Sequence, residues 1–163
     1  MKKSFAFAMK GVLSCMKTER NFRIHLAFTF YVLIGAAVTR LNETEWILVL
    51  VCIGAVTGAE IFNTAIEKLC DTLHPDRSSG IGLVKDMTAG GVLMFAMSSA
   101  AIGGIIFFNA DKLSKMAAFA ASHVVLAILI IASLPPAVFL VFRRYGNDKK
   151  NHSDHNRRAT ERR

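Results

Sequence analysis

Patterned cysteines and a phosphate-binding loop are both missing from this sequence. The three cysteines show no metal-ligand spacing and no C-x-x-C pair, so we interpret them as small buried residues in a reduced setting: Cys15, Cys52 and Cys70. The stretch SSGIGLVK lacks the G-x-x-x-x-G-K-[ST] spacing of a P-loop. A cleavable signal peptide is not expected either, because Lys10 and Lys17 interrupt the first apolar stretch.

Charge is scarce in the middle of the chain and abundant at its ends. Of the 163 residues 53% are hydrophobic, and the formal net charge is +8. Lys and Arg collect in the first 23 residues and the last 21, outside the apolar segments. This distribution is typical of a membrane protein with basic cytoplasmic ends. No base-reading fold fits between the apolar segments, so we expect no nucleic-acid partner.

Four apolar segments occupy residues 24–39, 46–69, 87–108 and 116–142. Each is close to, or can be extended to, the ~20 residues that a spanning helix needs. Inside lipid the backbone must satisfy its own hydrogen bonds, and the alternation of a β-barrel is missing, so we predict helices. The expected fold is an all-α membrane protein with spans at about 24–40, 46–70 and 87–108, and an additional transmembrane helix within 111–142.

The basic residues between the segments predict the topology. Six Lys or Arg residues precede the first segment, three lie from 68 to 85, and eight lie from residue 143 onward. The turns at 40–45 and 109–115 hold one and two. Both termini and the middle loop are therefore predicted to be cytoplasmic, in a multi-pass protein of the cell membrane.

Two segments outside the spans have a character of their own. The N-terminal arm places apolar side chains at helical spacing, with Lys10 and Lys17 on the other side, which predicts an amphipathic helix in the membrane surface. A soluble first turn of the bundle is the alternative. Residues 143–163 are basic and lack apolar periodicity, so we predict a disordered cytoplasmic tail.

A stripe of polar side chains interrupts the second apolar segment. In GAEIFNTAIEKLCD, offsets of 3, 7 and 11 from Glu60 fall within about 60° of it on a helix, which aligns Asn63, Glu67 and Asp71 along about 16 Å. An ionisable group at membrane depth is a functional-site hypothesis by default. Interhelical hydrogen bonds alone would suit Asn63, but they suit two buried glutamates poorly.

Two further clusters are predicted at the same membrane face. KTERNFR supplies Glu19 before the first span, and VKDMTAGGVL supplies Lys85 and Asp86 at the start of the third, followed by small residues that permit close helix approach. Carboxylates that hold a hard dication, with a lysine nearby, are what a Mg²⁺-nucleotide site needs. The deeper Glu60 could take a proton from a lipid hydroxyl.

At these residues the sequence resembles the prokaryotic diacylglycerol kinase and undecaprenol kinase family of small membrane kinases. The matching pieces are ERNFRIH at 19–25, EIFNTAIEKLCD at 60–71 and KDMTAGGVL at 85–93. The resemblance implies an ATP-dependent lipid kinase that uses Mg²⁺ and forms a homotrimer with shared active sites. On that basis residues 1–110 would form the kinase domain, residues 111–142 an additional transmembrane helix and residues 143–163 the tail.

The resemblance also implies a role for individual positions. Glu60 corresponds to the general base, and Glu19 and Glu67 correspond to the ligands of the metal. The implied nucleotide-binding positions are Glu19, Asn63, Glu67, Asp71, Asp76, Lys85, Asp86 and, by stacking, Phe7. The implied lipid-binding positions are Ser4, Ala8, Gly11, Arg23 and Glu60.

Among the departures of the chain from the family pattern, two bear most on the site and the fold. Ser78 stands where members often have a histidine that faces the nucleotide. The fourth span has no counterpart in three-span kinases; we favour a packing helix that returns the C-terminus to the cytoplasm, and a remnant of a fused phosphatase domain is the alternative. Pro135 and Pro136 are expected to kink or end that helix.

Three hypotheses remain open from the sequence. Phosphorylation of undecaprenol is the first, because ERNFRIH is more similar to the branch that uses undecaprenol. Diacylglycerol kinase activity, with the same chemistry on another lipid, is the second. The third belongs to another class: a non-enzymatic channel, or an assembly subunit, that uses the same polar stripe.

Overall fold

The computed structural model describes residues 2–74 and 79–143, which form seven α-helices and no strand. Asp76, Ser78 and the predicted tail beyond residue 143 lie outside the described residues. The prediction of an all-α fold is confirmed. The helices are α1 (Lys2–Thr18), α2 (Arg20–Thr39), α3 (Glu43–Leu73), α4 (Ser79–Phe107), α5 (Ala110–Ser122), α6 (Val124–Ala132) and α7 (Leu134–Arg143).

Four stretches of the described chain are long and apolar enough to cross a membrane. They are α2, α3, α4 and the stretch Val124–Phe142, which α6 and α7 form together. The fourth begins at Val124 rather than near Met116, because α5 ends at Ser122 and carries Asp111, Lys112 and Lys115. Those charges make α5 amphipathic, so it forms a separate helix before the apolar span.

The turns that connect the first spans have well-defined caps. Arg40 follows α2 in the left-handed conformation, with φ of 52°, and its N–H bonds back to carbonyls of the last turn. Asn42 then begins α3 with a capping box: its side chain accepts from the Glu45 N–H at 2.9 Å, and the Glu45 carboxylate accepts from the Asn42 N–H at 2.8 Å. These caps fix a tight connection between the first two spans.

Packing within the chain is concentrated in a few places. α3 and α4 form the most extensive helix pair. α2 packs against α3, and α5 and α7 both pack against α2. A small core of Ala36, Leu41, Val49 and Ile106 lies at the end of the bundle away from the polar stripe. Many large apolar side chains of the spans, such as Phe28, Leu50 and Ile105, are exposed. Such apolar surface fits contact with lipid.

The fourth span joins the bundle through polar contacts to α2. The Tyr31 hydroxyl and the Ser133 hydroxyl lie 2.9 Å apart, at the break between α6 and α7. That break directly precedes Pro135 and Pro136, which lack the N–H groups that would continue the helix. The expected interruption of the fourth helix is therefore present.

Candidate active site

The polar stripe of α3 runs from the buried middle of the bundle to an exposed end. Glu60, Asn63 and Thr64 are buried, Glu67 is half-buried, and the Asp71 side chain is 67% exposed. The stripe is one face of a continuous helix, so its residues differ in depth but share a direction. It can therefore present carboxylates both to a buried substrate group and to a solvated nucleotide.

The deepest carboxylate, that of Glu60, has a polar partner on another helix. His25 Nε2, on α2, lies 3.3 Å from Glu60 Oε1, and the Glu60 side chain is 5% exposed. The charges of Glu67 and Glu19 are also close enough to act on Glu60. A nearly buried carboxylate beside two other carboxylates is suited to accept a proton, provided that a donor holds it in place.

The side-chain amide of Asn63 is half satisfied. Its Nδ2 donates to Glu67 Oε1 at 3.1 Å. Its Oδ1 is buried and has no donor within the described residues. A buried acceptor without a donor is uncommon in folded proteins, so this oxygen is available to a cation or to a donor group of a ligand.

Glu19 lies between α1 and α2, where its carboxylate contacts Lys68 of α3. Glu19 Oε1 accepts from the Thr18 hydroxyl at 2.8 Å, and Lys68 Nζ on α3 lies 3.5 Å from the same oxygen. Lys68 also donates to the Thr18 hydroxyl at 3.2 Å. The corner between α1 and α2 is thereby held against α3, with Glu19 and Glu67 in the same neighbourhood.

Two of the predicted nucleotide-binding residues are paired with each other. Lys85 Nζ on α4 donates to Asp71 Oδ1 on α3. Asp86 is exposed beside them. The structure therefore brings Asp71 and Lys85 together at the exposed end of the stripe, whereas Asp76 lies outside the described residues.

The residues of α1 that the family resemblance implied are exposed. Phe7 is 71% exposed, and the small positions on the same helix are exposed as well: Ser4, Ala8 and Gly11. Among the apolar side chains predicted to form the surface-binding face of α1, Phe5 and Met9 also face outward, which fits a helix that lies on a membrane. Their predicted contacts with nucleotide or lipid stay predictions.

Arg23 joins the ends of two helices. Its Nη1 donates to the Lys17 carbonyl at 3.2 Å, at the end of α1, and its Nη2 donates to the Val141 carbonyl at 3.3 Å, near the end of α7. Its Nε is buried without a partner in the part of the chain that the structure describes. The predicted role of Arg23 in lipid binding stays a prediction beside this observed role in holding helix ends.

His25 and Lys68 are contacts of the site that the sequence reasoning missed. His25 belongs to the quoted motif ERNFRIH, and an ionisable residue in an apolar span is itself a signal of function. No comparable signal marks Lys68, because a lysine near the end of a span is common at a cytoplasmic face.

An apolar cavity of about 520 Å³ opens between α2, α3 and α4. His25 lies in its wall, together with apolar or small residues such as Val56, Ala100 and Gly104. The cavity therefore adjoins the His25–Glu60 pair on one side. Its lining suits a hydrocarbon chain rather than a charged group.

The carboxylates of Glu19 and Glu67 are of the type that can hold a magnesium ion together with phosphate oxygens. Within residues 2–74 and 79–143 no group of three or more His, Cys, Asp or Glu side chains could hold a metal by itself. Mg²⁺ in nucleotide sites, however, uses one or two carboxylates together with phosphate oxygens and water. Glu19, Glu67 and the unsatisfied Asn63 oxygen supply oxygen ligands of that kind.

Comparison with known proteins gives a consistent family. Residues 6–107 match the family described as prokaryotic diacylglycerol kinase. A protein named undecaprenol kinase from Bacillus subtilis is 37% identical over 105 residues, which are 64% of this chain and 85% of that relative. A protein named diacylglycerol kinase from Synechocystis is 31% identical over 104 residues, which are 63% of this chain and 59% of that relative. No solved structure matches the chain.

Proposed function

Since this chain belongs to the prokaryotic diacylglycerol kinase family, and is therefore a membrane lipid kinase that uses ATP, we propose that it phosphorylates undecaprenol to undecaprenyl phosphate. The higher identity to the relative named undecaprenol kinase favours this lipid. Diacylglycerol is the second candidate substrate, favoured by the name of the other relative. A channel or an assembly subunit without activity is no longer needed to explain the polar stripe.

The observation that carries the proposal is the buried Glu60, whose partner His25 lies in the wall of an apolar cavity. In the proposed mechanism the Glu60 carboxylate accepts the proton of the lipid hydroxyl. The lipid oxygen forms a bond to the γ-phosphorus of ATP while the bond from that phosphorus to the β–γ bridging oxygen breaks, and ADP leaves. Such a transfer needs alignment and charge neutralisation more than covalent help from the protein.

The proposed nucleotide site occupies the exposed half of the stripe. Glu19 and Glu67 would hold Mg²⁺, which neutralises phosphate charge when it is bound. Lys85, held by Asp71, would contact the phosphates once they replace that carboxylate. The remaining proposed contacts to the nucleotide are Asn63, Asp76, Asp86 and Phe7.

The lipid is proposed to enter sideways from the bilayer. Its hydroxyl would meet Glu60, and α1 together with Arg23 would line its path, through Ser4, Ala8 and Gly11. Because these α1 residues are exposed within one chain, they are free to face a lipid or a neighbouring subunit.

Assembly and topology complete the proposal. We propose a homotrimer with shared sites, both termini in the cytoplasm, a kinase domain over 1–110, an added transmembrane helix over 111–142 and a tail over 143–163. The exposed apolar surface of the spans supports contact with lipid or other subunits. The basic N-terminal arm and C-terminal tail support the cytoplasmic assignment.

The test is transfer of labelled phosphate from ATP to each lipid by the purified protein in detergent, with and without Mg²⁺. We expect a higher kcat/KM for undecaprenol than for diacylglycerol, no transfer without Mg²⁺, and a loss of at least about a hundredfold in Glu60→Gln, a typical contribution of a general base. Equal or better use of diacylglycerol would overturn the substrate assignment. Full turnover by Glu60→Gln would remove the general-base role.

A further inference from the structure

We propose that His25 is a positioning residue for phosphoryl transfer: its imidazole holds one oxygen of Glu60, so that the other faces the lipid hydroxyl. The inference rests on the proposed role of Glu60 as general base. It adds a residue from another helix to the site and predicts that the reaction depends on the contact between α2 and α3.

The geometry of the pair carries the first step. His25 Nε2 lies 3.3 Å from Glu60 Oε1, which is within reach of a bond that tightens when substrate is bound. Because the Glu60 side chain is 5% exposed, bulk water cannot orient it. Within the described residues, His25 is the polar side chain that contacts it.

The electrostatic surroundings carry the second step. Glu67 and Glu19 repel the Glu60 carboxylate, so it would turn away from the nucleotide end of the stripe unless a donor held it. A neutral imidazole with its proton on Nε2 is such a donor, and Oε1 is the acceptor. Oε2 then remains to receive the lipid proton, which Glu60 releases to solvent after the phosphorylated lipid has left the site.

The location of the imidazole carries the third step. His25 is 24% exposed and lies in the wall of the apolar cavity between α2, α3 and α4. It therefore stands where a lipid chain in the cavity and the base on α3 meet. A histidine that served only to tie α2 to α3 would not need to face that cavity.

The alternative is an interhelical hydrogen bond that stabilises the bundle and nothing more. Both roles predict some loss of activity when His25 is removed. They differ in whether the loss of activity depends on the presence of the Glu60 carboxylate. A double-mutant cycle between the two residues measures that coupling directly.

The experiment compares His25→Leu, His25→Gln and Glu60→Gln with the double variant His25→Leu/Glu60→Gln, in the full chain with undecaprenol and Mg-ATP. We expect His25→Leu to lower kcat about 10- to 100-fold with the KM for ATP unchanged, as loss of an orienting partner does. His25→Gln keeps an N–H donor at a similar reach and should restore kcat to within about fivefold of the wild type. His123→Gln, at the histidine between α5 and the fourth span, is the matched control and should keep full kcat.

The outcome of the cycle decides the inference. If His25 acts through Glu60, adding His25→Leu to Glu60→Gln lowers the remaining rate less than about twofold. The inference would be overturned if His25→Leu lowered kcat by the same factor in the Glu60→Gln background as in the wild type. It would also be overturned if His25→Gln did not restore kcat. If His25→Leu is fully active and Glu60→Gln is inactive, the role of His25 is wrong and the role of Glu60 stands. If Glu60→Gln is active, the proposed general base is itself wrong. Should His25→Leu fail to fold, His25→Phe, which keeps a ring of similar size and removes the N–H donor, replaces it in the same cycle.

Discussion

The Oδ1 atom of Asn63 is a buried acceptor that has no hydrogen-bond donor within the described residues. Leaving a buried acceptor without a donor costs about 1–3 kcal/mol, while its Nδ2 recovers part of that through Glu67. We propose that a ligand or a cation binds at this oxygen and offsets the cost. The cost is therefore best explained by a function that replaces the missing donor or supplies a cation.

Asn63→Leu tests that explanation. Leucine has a similar volume and removes both the unsatisfied oxygen and the bond to Glu67, so we expect the Tm to change little or to rise. The KM for Mg-ATP should increase about tenfold or more, because ligand contacts are lost. Both values are measured on the same detergent-purified sample. An unchanged KM would show that the Asn63 oxygen does not face the nucleotide.

The pair of Lys85 and Asp71 makes a second prediction at this scale. Exposed ion pairs contribute little to stability, so neither Lys85→Met nor Asp71→Asn should lower the Tm noticeably. Lys85→Met should nevertheless reduce kcat/KM for ATP about a hundredfold, because the charge that would face the phosphates is lost. Lys10→Met, on the exposed surface of α1, is the matched control. A fall in Tm equal to the loss of activity would indicate a structural pair instead.

How far the sequence predicts the site depends on which contacts are local. The stripe of Glu60, Asn63 and Glu67 follows from the helical repeat, because one helix fixes their relative directions. The partners of that stripe come from other helices. His25 contacts Glu60 only because α2 crosses α3 at one particular height, and no spacing within the sequence specifies that height.

At the scale of elements, α5 is the part that the sequence did not separate from the fourth span. The stretch is apolar enough to extend the span, yet Lys112 turns inward and pairs with Glu45 at 2.7 Å. The same Glu45 oxygen completes the cap of α3. One carboxylate therefore fixes the start of α3 and the position of α5, and this long-range pairing cannot be read from hydropathy.

Lys112→Met is expected to lower the Tm while the chemistry is unchanged. The Lys112 side chain is 7% exposed, and removal of one partner of a poorly solvated pair leaves the other charge uncompensated. Adding Glu45→Gln should recover part of the lost Tm, because no unpaired charge then remains. Lys115→Met removes a pair that is far more exposed and should shift the Tm less. A larger shift from Lys115→Met than from Lys112→Met would contradict this account.

The small residues near the middle of α4 gave a prediction that the single chain does not support. Gly90 and Gly91 were expected to permit close helix approach, yet a Cβ added at either position meets no atom within 4 Å. Residues 2–74 and 79–143 of one chain therefore leave that surface open. Helix propensity and composition predict α4 as a helix, but they do not predict which helix packs against its small residues.

At the scale of the whole molecule, the family match and the fourth span divide the chain into two parts. The match covers residues 6–107, which include every residue to which we assign a role in the site except Ser4. The fourth span instead touches the back of the site through Arg23, whose guanidinium joins the ends of α1 and α7. It also contacts α2 through Tyr31 and Ser133. These contacts support our proposal that the fourth span stabilises the α1–α2 corner and takes no part in the reaction.

A chain that ends after Phe108 tests this division. We expect it to keep lipid-dependent turnover within about tenfold of the full chain, since the proposed base, metal ligands and nucleotide contacts all remain. Its Tm should fall, because the Tyr31–Ser133 contact, the Arg23–Val141 contact and the Lys112–Glu45 pair are lost together. The full-length variant Tyr31→Phe/Ser133→Ala removes one of these contacts at about 1 kcal/mol and serves as a milder version if the shortened chain does not fold. A shortened chain that folds and binds ATP but is inactive would contradict this division. Its nucleotide site would be intact, so the fourth span would have to contribute to lipid binding.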